Sequence, residues 1–363
     1  MPLTGDKIVQ PEIYQRLIRP ILFRFDAEAV HRLTLAILSR WPARQPIVDS
    51  PQLAVNLFGL RFANPVGLAA GMDKDARAIA AWQSLGFGFA ELGTITPQAQ
   101  PGNPRPRICR LPNHGAMINR LGFPSEGMEV VARRIKAVRR RKLGMRLALN
   151  FGPNKETPPE KIAADYAALM ARCGSLADFV VVNLSSPNTP GLRDWQAPER
   201  IRTIVEALRT AELPEALRPR TPLVMKIAPD LELPVIDEIA ATALGLKIDG
   251  IVATNSTIKR AEVGVTSPYQ GGLSGQPLTN LARGLIARVY RATGGKLPII
   301  GVGGIASAED AWGHIRAGAS LVEFYTGMIY QGPGLAASIK MGLRQLLARH
   351  GCRSISEVVG ADV

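Results

Sequence analysis

The feature that most constrains this chain is an alternation. From Pro65 onward, eight short apolar runs rich in Val, Ile and Leu recur: PVGLAA from Pro65, FGFAELGTI from Phe87, RLALNFG from Arg146, FVVVNLS from Phe179, PLVMKIA from Pro222, GIVATNS from Gly250, PIIGVGG from Pro298 and LVEFYTG from Leu321. Runs this short that lack a polar face read as strands buried on both sides. Amphipathic stretches lie between most of them, such as PEKIAADYAALMARC from Pro159 and SAEDAWGHIRAGA from Ser307, where Ser307 is a natural N-cap and Gly318 stands near the end. Eight strand–helix units predict an α/β fold, a closed parallel (β/α)8 TIM barrel. A doubly wound sheet is the alternative, but the turn after the first strand is AAGMDKD and not GxGxxG.

Three connections are too long for simple turns: residues 97 to 145, the stretch after Ser186 and the stretch after Thr257. In a barrel, connections that follow strands lie at the C-terminal rim, where long loops build sites. At 363 residues, with 46% hydrophobic, the chain has room for one large barrel and a short appendage, or for two medium domains. The appendage is residues 1–48, and the barrel domain residues 49–363. In the appendage Ile13, Leu17, Ile21 and Phe25 recur at four-residue spacing, and Pro20 interrupts that stripe. After the N-cap Asp26, a second stripe comprises Val30, Leu33, Ile37, Leu38 and Trp41, with Arg16, Arg19, Arg24, Arg32 and Arg40 flanking the two. Two readings stand here: a helical pair capping the bottom of the barrel, or an amphipathic anchor lying on an anionic membrane surface.

A net charge of +14 attracts anionic substrates, lipid headgroups or nucleic acid without choosing among them. The densest basic run, Arg133, Arg134, Lys136, Arg139, Arg140, Arg141 and Lys142, is spaced around Ile135, Val138 and Leu143 as on a surface helix. It has no interleaved aromatic residues, and no nucleic-acid-binding motif is present. Cys109, Cys173 and Cys352 are odd in number and far apart, which excludes a disulfide framework and a CxxC metal site and fits a reducing compartment. No metal is expected. Neither a signal peptide nor a run of about 20 apolar residues is found, so the chain is not expected to cross a membrane.

The chemistry gathers at strand ends. NLSSPNTPGLR, from Asn183 to Arg193, begins in a strand and runs into a loop. Asn183, Ser186 and Asn188 are either turn formers or ligands. The same placement recurs in Lys74, Thr94, Asn150, Lys226, Asn255 and Ser256, and this convergence of lysines and amides on one rim suits an anionic, hydrogen-bonding small molecule. GVGGI (Gly301 to Ile305) and YTG (Tyr325 to Gly327) end the last two strands, where barrels commonly bind phosphate, and GGLSG (Gly271 to Gly275) is a second glycine loop.

AAGMDKD, GTITPQAQPGNPRPR, INRLGF, NLSSPNTPGLR, VMKIAPD, ATNST, GGLSGQPL, IIGVGGI and YTG resemble, in order and spacing, the dihydroorotate dehydrogenases, from roughly residue 50 to 345. Ser186 stands where the soluble members that use fumarate or NAD have Cys, and together with the amphipathic extension this resembles the quinone-dependent class. The resemblance implies oxidation of dihydroorotate to orotate in pyrimidine biosynthesis, with Ser186 as catalytic base. It implies FMN held by Ala70, Gly71, Met72, Asp73, Lys74, Thr94, Asn150, Asn183, Lys226, Thr254 and Gly275, with the phosphate on Gly304, Tyr325 and Thr326. It implies substrate held by Lys74, by the loop Asn119, Arg120, Leu121, Gly122 and Phe123, and by Asn183, Asn188, Asn255 and Ser256. A ubiquinone or menaquinone would enter beside His31, Arg110 and Tyr325. The implied protein is a monomer, peripheral to the cytoplasmic side of the cell membrane. Cys109, where many relatives have Phe, and Ser256, for the usual Thr, depart from the pattern.

Overall fold

A computed structural model describes residues 11–41, 49–140, 143–189, 191–211 and 220–363. Parts of the expected appendage (1–10 and 42–48), Arg141 and Lys142 of the basic run, and Pro190 of the NLSSPN loop lie outside the described residues. Along the chain the strands are β1 (Val55–Leu57), β2 (Leu60–Phe62), β3 (Val66–Leu68), β4 (Phe89–Ile95), β5 (Ile108–Leu111), β6 (Ala116–Asn119), β7 (Arg146–Phe151), β8 (Phe179–Asn183), β9 (Leu223–Ile227), β10 (Gly250–Ala253), β11 (Gly272–Gly275), β12 (Ile299–Val302) and β13 (Leu321–Phe324).

Eight of these close the expected barrel in the order β10-β12-β13-β3-β4-β7-β8-β9, all parallel, each falling within one of the eight apolar runs. Closure is made where Val66 pairs with Val322 and Leu68 with Phe324. The strands are buried on both faces because helices pack outside and side chains fill the inside. Ser307 caps its helix as expected, accepting from the Asp310 amide at 3.1 Å.

The bottom of the barrel is closed by the β1–β2 hairpin. Phe58 and Gly59, at φ 57° and 71°, form its two-residue turn. This aims Phe58 and Phe62 at Phe89 and Phe179, the first residues of β4 and β8, with ring centroids 5.5 to 6.1 Å apart. Gly67 is required beside them, since a Cβ there would stand 2.1 Å from the Phe89 ring.

The reading of the appendage as a cap on the barrel bottom is therefore overturned: its helices lie at the opposite, C-terminal end. Tyr14 donates to the Ile329 carbonyl at 2.8 Å and Arg19 to the Tyr330 carbonyl at 3.1 Å, both just beyond β13. Glu28, buried, takes Arg107 of the loop before β5 in a bidentate pair at 2.8 and 3.0 Å. Nor does Pro20 break the first helix. The chain stays helical over 11–22, and a π-type turn at Tyr14–Ile18 precedes Pro20, which sits in a first turn where its missing N–H costs little. Asp26 caps Ala27–Leu38 by accepting from the Ala29 amide at 2.8 Å.

Two of the long connections, expected as loops, contribute an antiparallel sheet β11-β6-β5, with Ile118 opposite Cys109 on one side and Leu273 on the other. Its own small core, Ala116, Ile118, Val265, Leu273 and Leu278, roofs the barrel mouth. Arg133, Arg134, Lys136 and Arg139 of the basic run lie on helix Met128–Arg139, which buries Val131, Ala132 and Ile135. Arg134 pairs with Glu126 and Arg139 with Asp178, so part of its charge is spent locally.

Candidate active site

Inside the barrel the two-residue repeat of a strand stacks side chains in layers. Above the Phe89–Phe179 layer come Glu91, Asn150, Lys226 and Glu323, and above these Thr94 and Asn183 meet a cavity of about 980 Å³, counting its open mouth. The cavity brings together Ala70, Gly71 and Lys74 from the loop after the first barrel strand, Thr94 from the second strand, Asn183, Ser186 and Asn188 from the fourth strand and the loop after it, Lys226 from the fifth, and Thr254, Asn255 and Ser256 from the loop after the sixth. Asn119, Leu121, Gly122 and Phe123 enter from the loop after β6, and Gly275, Gly304, Tyr325 and Thr326 close the far wall. Ser274 and Ile305, inside the two glycine motifs, line it too, as does Leu278, which sequence reasoning did not single out.

A hydrogen-bonded amide array organises one wall. Asn183 Nδ2 donates to Thr94 Oγ1 at 3.0 Å, while its Oδ1 accepts from the Ser185 amide at 3.2 Å and from Ser185 Oγ at 3.0 Å. Asn255 Nδ2 donates to Ser185 Oγ at 2.9 Å, and Asn188 Nδ2 to Asn119 Oδ1 at 3.3 Å. Each amide is held in place by a neighbouring side chain at the cavity wall. Asn150 does not line the cavity: fully buried, it accepts from Thr94 Oγ1 at 2.6 Å and donates to Glu91, supporting the layer above.

Ser186 is 5% exposed, and its Oγ accepts from the Asn188 amide at 3.2 Å, which fixes the rotamer and leaves the hydroxyl facing the cavity. Three residues on, the Thr189 hydroxyl is buried without a hydrogen-bond partner among the described residues. Lys74 Nζ donates to the Gly71 carbonyl at 2.6 Å, and burial pushes its ammonium down to about 8. It is a cation ready to gain from an anionic ligand.

Three of the expected contact residues, Met72, Asp73 and Arg120, do not line the cavity. Asp73 is buried beneath the loop, where its carboxylate accepts from the Arg77 and Ala78 amides and from Trp82 Nε1 at 2.8 to 2.9 Å; it shapes the turn. Met72 packs into the core. Arg120 turns its guanidinium to the Pro106 carbonyl, away from the cavity.

At the glycine wall, Gly303 and Gly304 have φ of 129° and 77°, and a Cβ on Gly304 would meet the Thr279 hydroxyl and amide at 2.1 and 2.6 Å. Bare backbone is therefore obligatory here, and the hydroxyls of Ser274 and Thr326, 2.8 Å apart, stand beside it. Such a surface suits a phosphate.

The extension reaches the cavity through Tyr325. The His31 ring lies 6.4 Å from the Tyr325 ring, centroid to centroid. Burial, then the Lys74 charge, lowers His31 to about 3, so it is neutral at physiological pH. Arg110 does not enter the cavity: it caps the Leu22 and Phe25 carbonyls at the junction of the two helices and lies over the Phe23 ring at 4.6 Å. Cys109 beside it is half-buried.

Residues 52–347 match the family model described as dihydroorotate dehydrogenase. A dihydroorotate dehydrogenase (quinone) of Acidithiobacillus ferrooxidans is 46% identical, over 95% of this chain and 98% of that protein. A protein of the same description from Roseiflexus sp. is 46% identical over 96% and 98%. A ligand-free DHODH structure from Eimeria tenella superposes with a TM-score of 0.87 at 40% identity, covering 93% of this chain and 99% of that one. The chain belongs to the dihydroorotate dehydrogenase family, a family of flavoenzymes.

Proposed function

We propose that the chain binds FMN and oxidises dihydroorotate to orotate, passing the electrons to a membrane quinone. The observation that carries this reading is the convergence, on one cavity, of Ser186 with Lys74, Asn119, Asn188 and Asn255 at one end and the glycine wall at the other. The residues fit the cofactor: amides and Lys226 suit the edge of a flavin ring, and the Gly303–Gly304 backbone with Ser274 and Thr326 suits its phosphate. When bound, FMN supplies the hydride acceptor and the path of electrons to the quinone.

The chain's own residues do the rest. Lys74 and the Asn side chains hold a carboxylate-bearing ring with amide edges. Ser186 Oγ would take the proton from C5 of dihydroorotate as C6 gives up its hydride. Serine is a weak base, so its proton must pass on to solvent, and in this reading the Thr189 hydroxyl on the same loop, unpartnered among the described residues, relays it through water by accepting one proton and releasing its own.

The extension suits peripheral membrane docking. Ile13, Leu17, Ile21, Phe25, Leu33 and Ile37 are 46% to 63% exposed, and Arg16, Arg24, Arg32 and Arg40 beside them are exposed as well. No helix among the described residues is long and apolar enough to cross a membrane. A quinone arriving between these helices would meet His31 and then Tyr325 on the cavity wall.

The test is anaerobic reduction of the bound flavin by dihydroorotate, followed by reoxidation with a short-chain ubiquinone, fumarate or NAD. Fast reduction with quinone-selective reoxidation is expected. Ser186→Ala should retain flavin and slow its reduction by about 10²- to 10⁴-fold; an unchanged reduction rate removes Ser186 as the base.

A further inference from the structure

Beneath the cavity lies a charge cluster with one carboxylate too many. Lys226 Nζ donates to Glu91 Oε2 at 2.9 Å and to Glu323 Oε1 at 3.1 Å. The three residues are 5%, 1% and 0% exposed. They come from β9, β4 and β13, no two of which are neighbours in the barrel, so they meet across its interior. Among the described residues the other group on the cluster is the neutral Asn150 amide, which donates to Glu91, and no second cation pairs with either carboxylate. Two ionised carboxylates against one ammonium would leave a full negative charge where water does not reach, at a cost that burial does not tolerate. Among the described residues Glu323 Oε2 moreover accepts from no donor, which an ionised oxygen buried this deeply would require.

We propose that Glu91 and Glu323 share one proton, carried chiefly on Glu323, so that the pair presents a single negative charge to Lys226 and the floor of the cavity is electroneutral. Glu323 is thereby a positioning residue that sets the field Lys226 delivers to the flavin, an inference that rests on the FMN reading above. Burial and the Glu91 charge hold the Glu323 carboxyl well above the usual carboxylate range, while Lys226 holds Glu91 below it. Reduction adds negative charge to a flavin. A floor with net charge −1 would oppose that, a neutral one does not, and an unopposed Lys226 would favour it.

Two readouts decide the matter: the midpoint potential of the bound flavin, and the infrared carbonyl stretch of a buried protonated carboxyl group in the purified protein. Glu323→Gln replaces the neutral acid with a neutral isostere and should leave the potential in place while abolishing the infrared band. Glu91→Gln should also abolish the band, because Glu323 then ionises to balance Lys226, and the potential should again move little. The double variant leaves Lys226 unbalanced and should shift the potential upward. If Glu323→Gln alone raises the potential as the double variant does, or the wild-type protein lacks the band, both carboxylates are ionised and the proposal fails. The band requires no flavin, so a protein that binds none would overturn the FMN reading while the infrared result still decides where the proton is.

Discussion

One guanidinium ties together the two loops that carry Ser186 and Ser256. Arg193 Nε donates to the Ser185 carbonyl and Nη2 to the Ser256 carbonyl, both at 3.1 Å, and Nη1 pairs with Asp230 at 2.6 Å. Asp230 in turn accepts from the Thr257 hydroxyl and from the Ile258 amide at 3.1 Å. Small displacements of reacting groups are costly in rate. Arg193→Met, which keeps the apolar stem, should therefore retain flavin but raise KM for dihydroorotate and lower kcat, with kcat/KM falling about 10- to 100-fold; unchanged values in steady-state assays would reduce Arg193 to a surface ion pair. Arg193 was visible at the end of NLSSPNTPGLR, but its role was not, because its acidic partner lies 37 residues away. Ser186, Asn183 and Lys226 were legible because polar side chains at the ends of apolar strands have few other uses. Glu91 and Glu323 carried the same signal, as lone acids inside apolar runs, two positions from Phe89 and from Tyr325.

Among elements, the barrel strands were the most legible, since burial on both faces leaves an uninterrupted apolar run. The roof sheet was not, because β5, β6 and β11 are four residues each and cover a core of only a few side chains. The extension lies between these cases. Its amphipathic stripes were plain, yet the end of the barrel it occupies depends on Glu28–Arg107, Tyr14–Ile329 and Arg19–Tyr330, contacts between segments 79 or more residues apart. Those contacts consume the polar side and leave Leu17, Ile21 and Phe25 facing outward, at 63%, 56% and 60% exposure. Exposed apolar side chains each contribute about 1.5–3 kcal/mol when a lipid surface buries them. The triple variant Leu17→Glu, Ile21→Glu, Phe25→Glu should thus bind anionic phospholipid vesicles at least about tenfold more weakly in a sedimentation assay. Turnover with a soluble short-chain quinone and the thermal midpoint should change little, since none of the three is buried. Equal vesicle binding would show that the stripe is not the docking face.

At the scale of the whole molecule, pH couples the site to folding through histidines that the fold keeps neutral. Burial lowers His31 to about 3 and His314 to about 4, both from an ordinary value near 6.5. Below pH 6.5 the unfolded chain takes up protons that the folded chain refuses, so each histidine's contribution declines as pH falls from 6.5 toward its folded value, by up to about 2 kcal/mol at pH 5. Glu126 acts in the same direction further down. Hydrogen bonds from Arg134 and Arg77 hold it near 2, so its stabilisation is present above 4.5 and is lost as pH falls from there. Glu323 opposes them, because a carboxyl that stays protonated when folded favours the folded chain more as pH falls toward 4.5. The wild-type dependence sums these with other shifted carboxyls such as Glu28, Asp75 and Glu91, so the informative quantity is a difference. The stability lost between about pH 7 and pH 5, measured by denaturant unfolding, should shrink in His31→Gln and His314→Gln and shrink further in the double variant, because their sites do not touch and the effects should add. Equal losses in the wild type and the double variant would mean that both histidines titrate freely in the folded protein. His31 would then carry charge beside Tyr325 at mildly acidic pH, and the quinone route would have to accommodate a cation instead of a neutral ring.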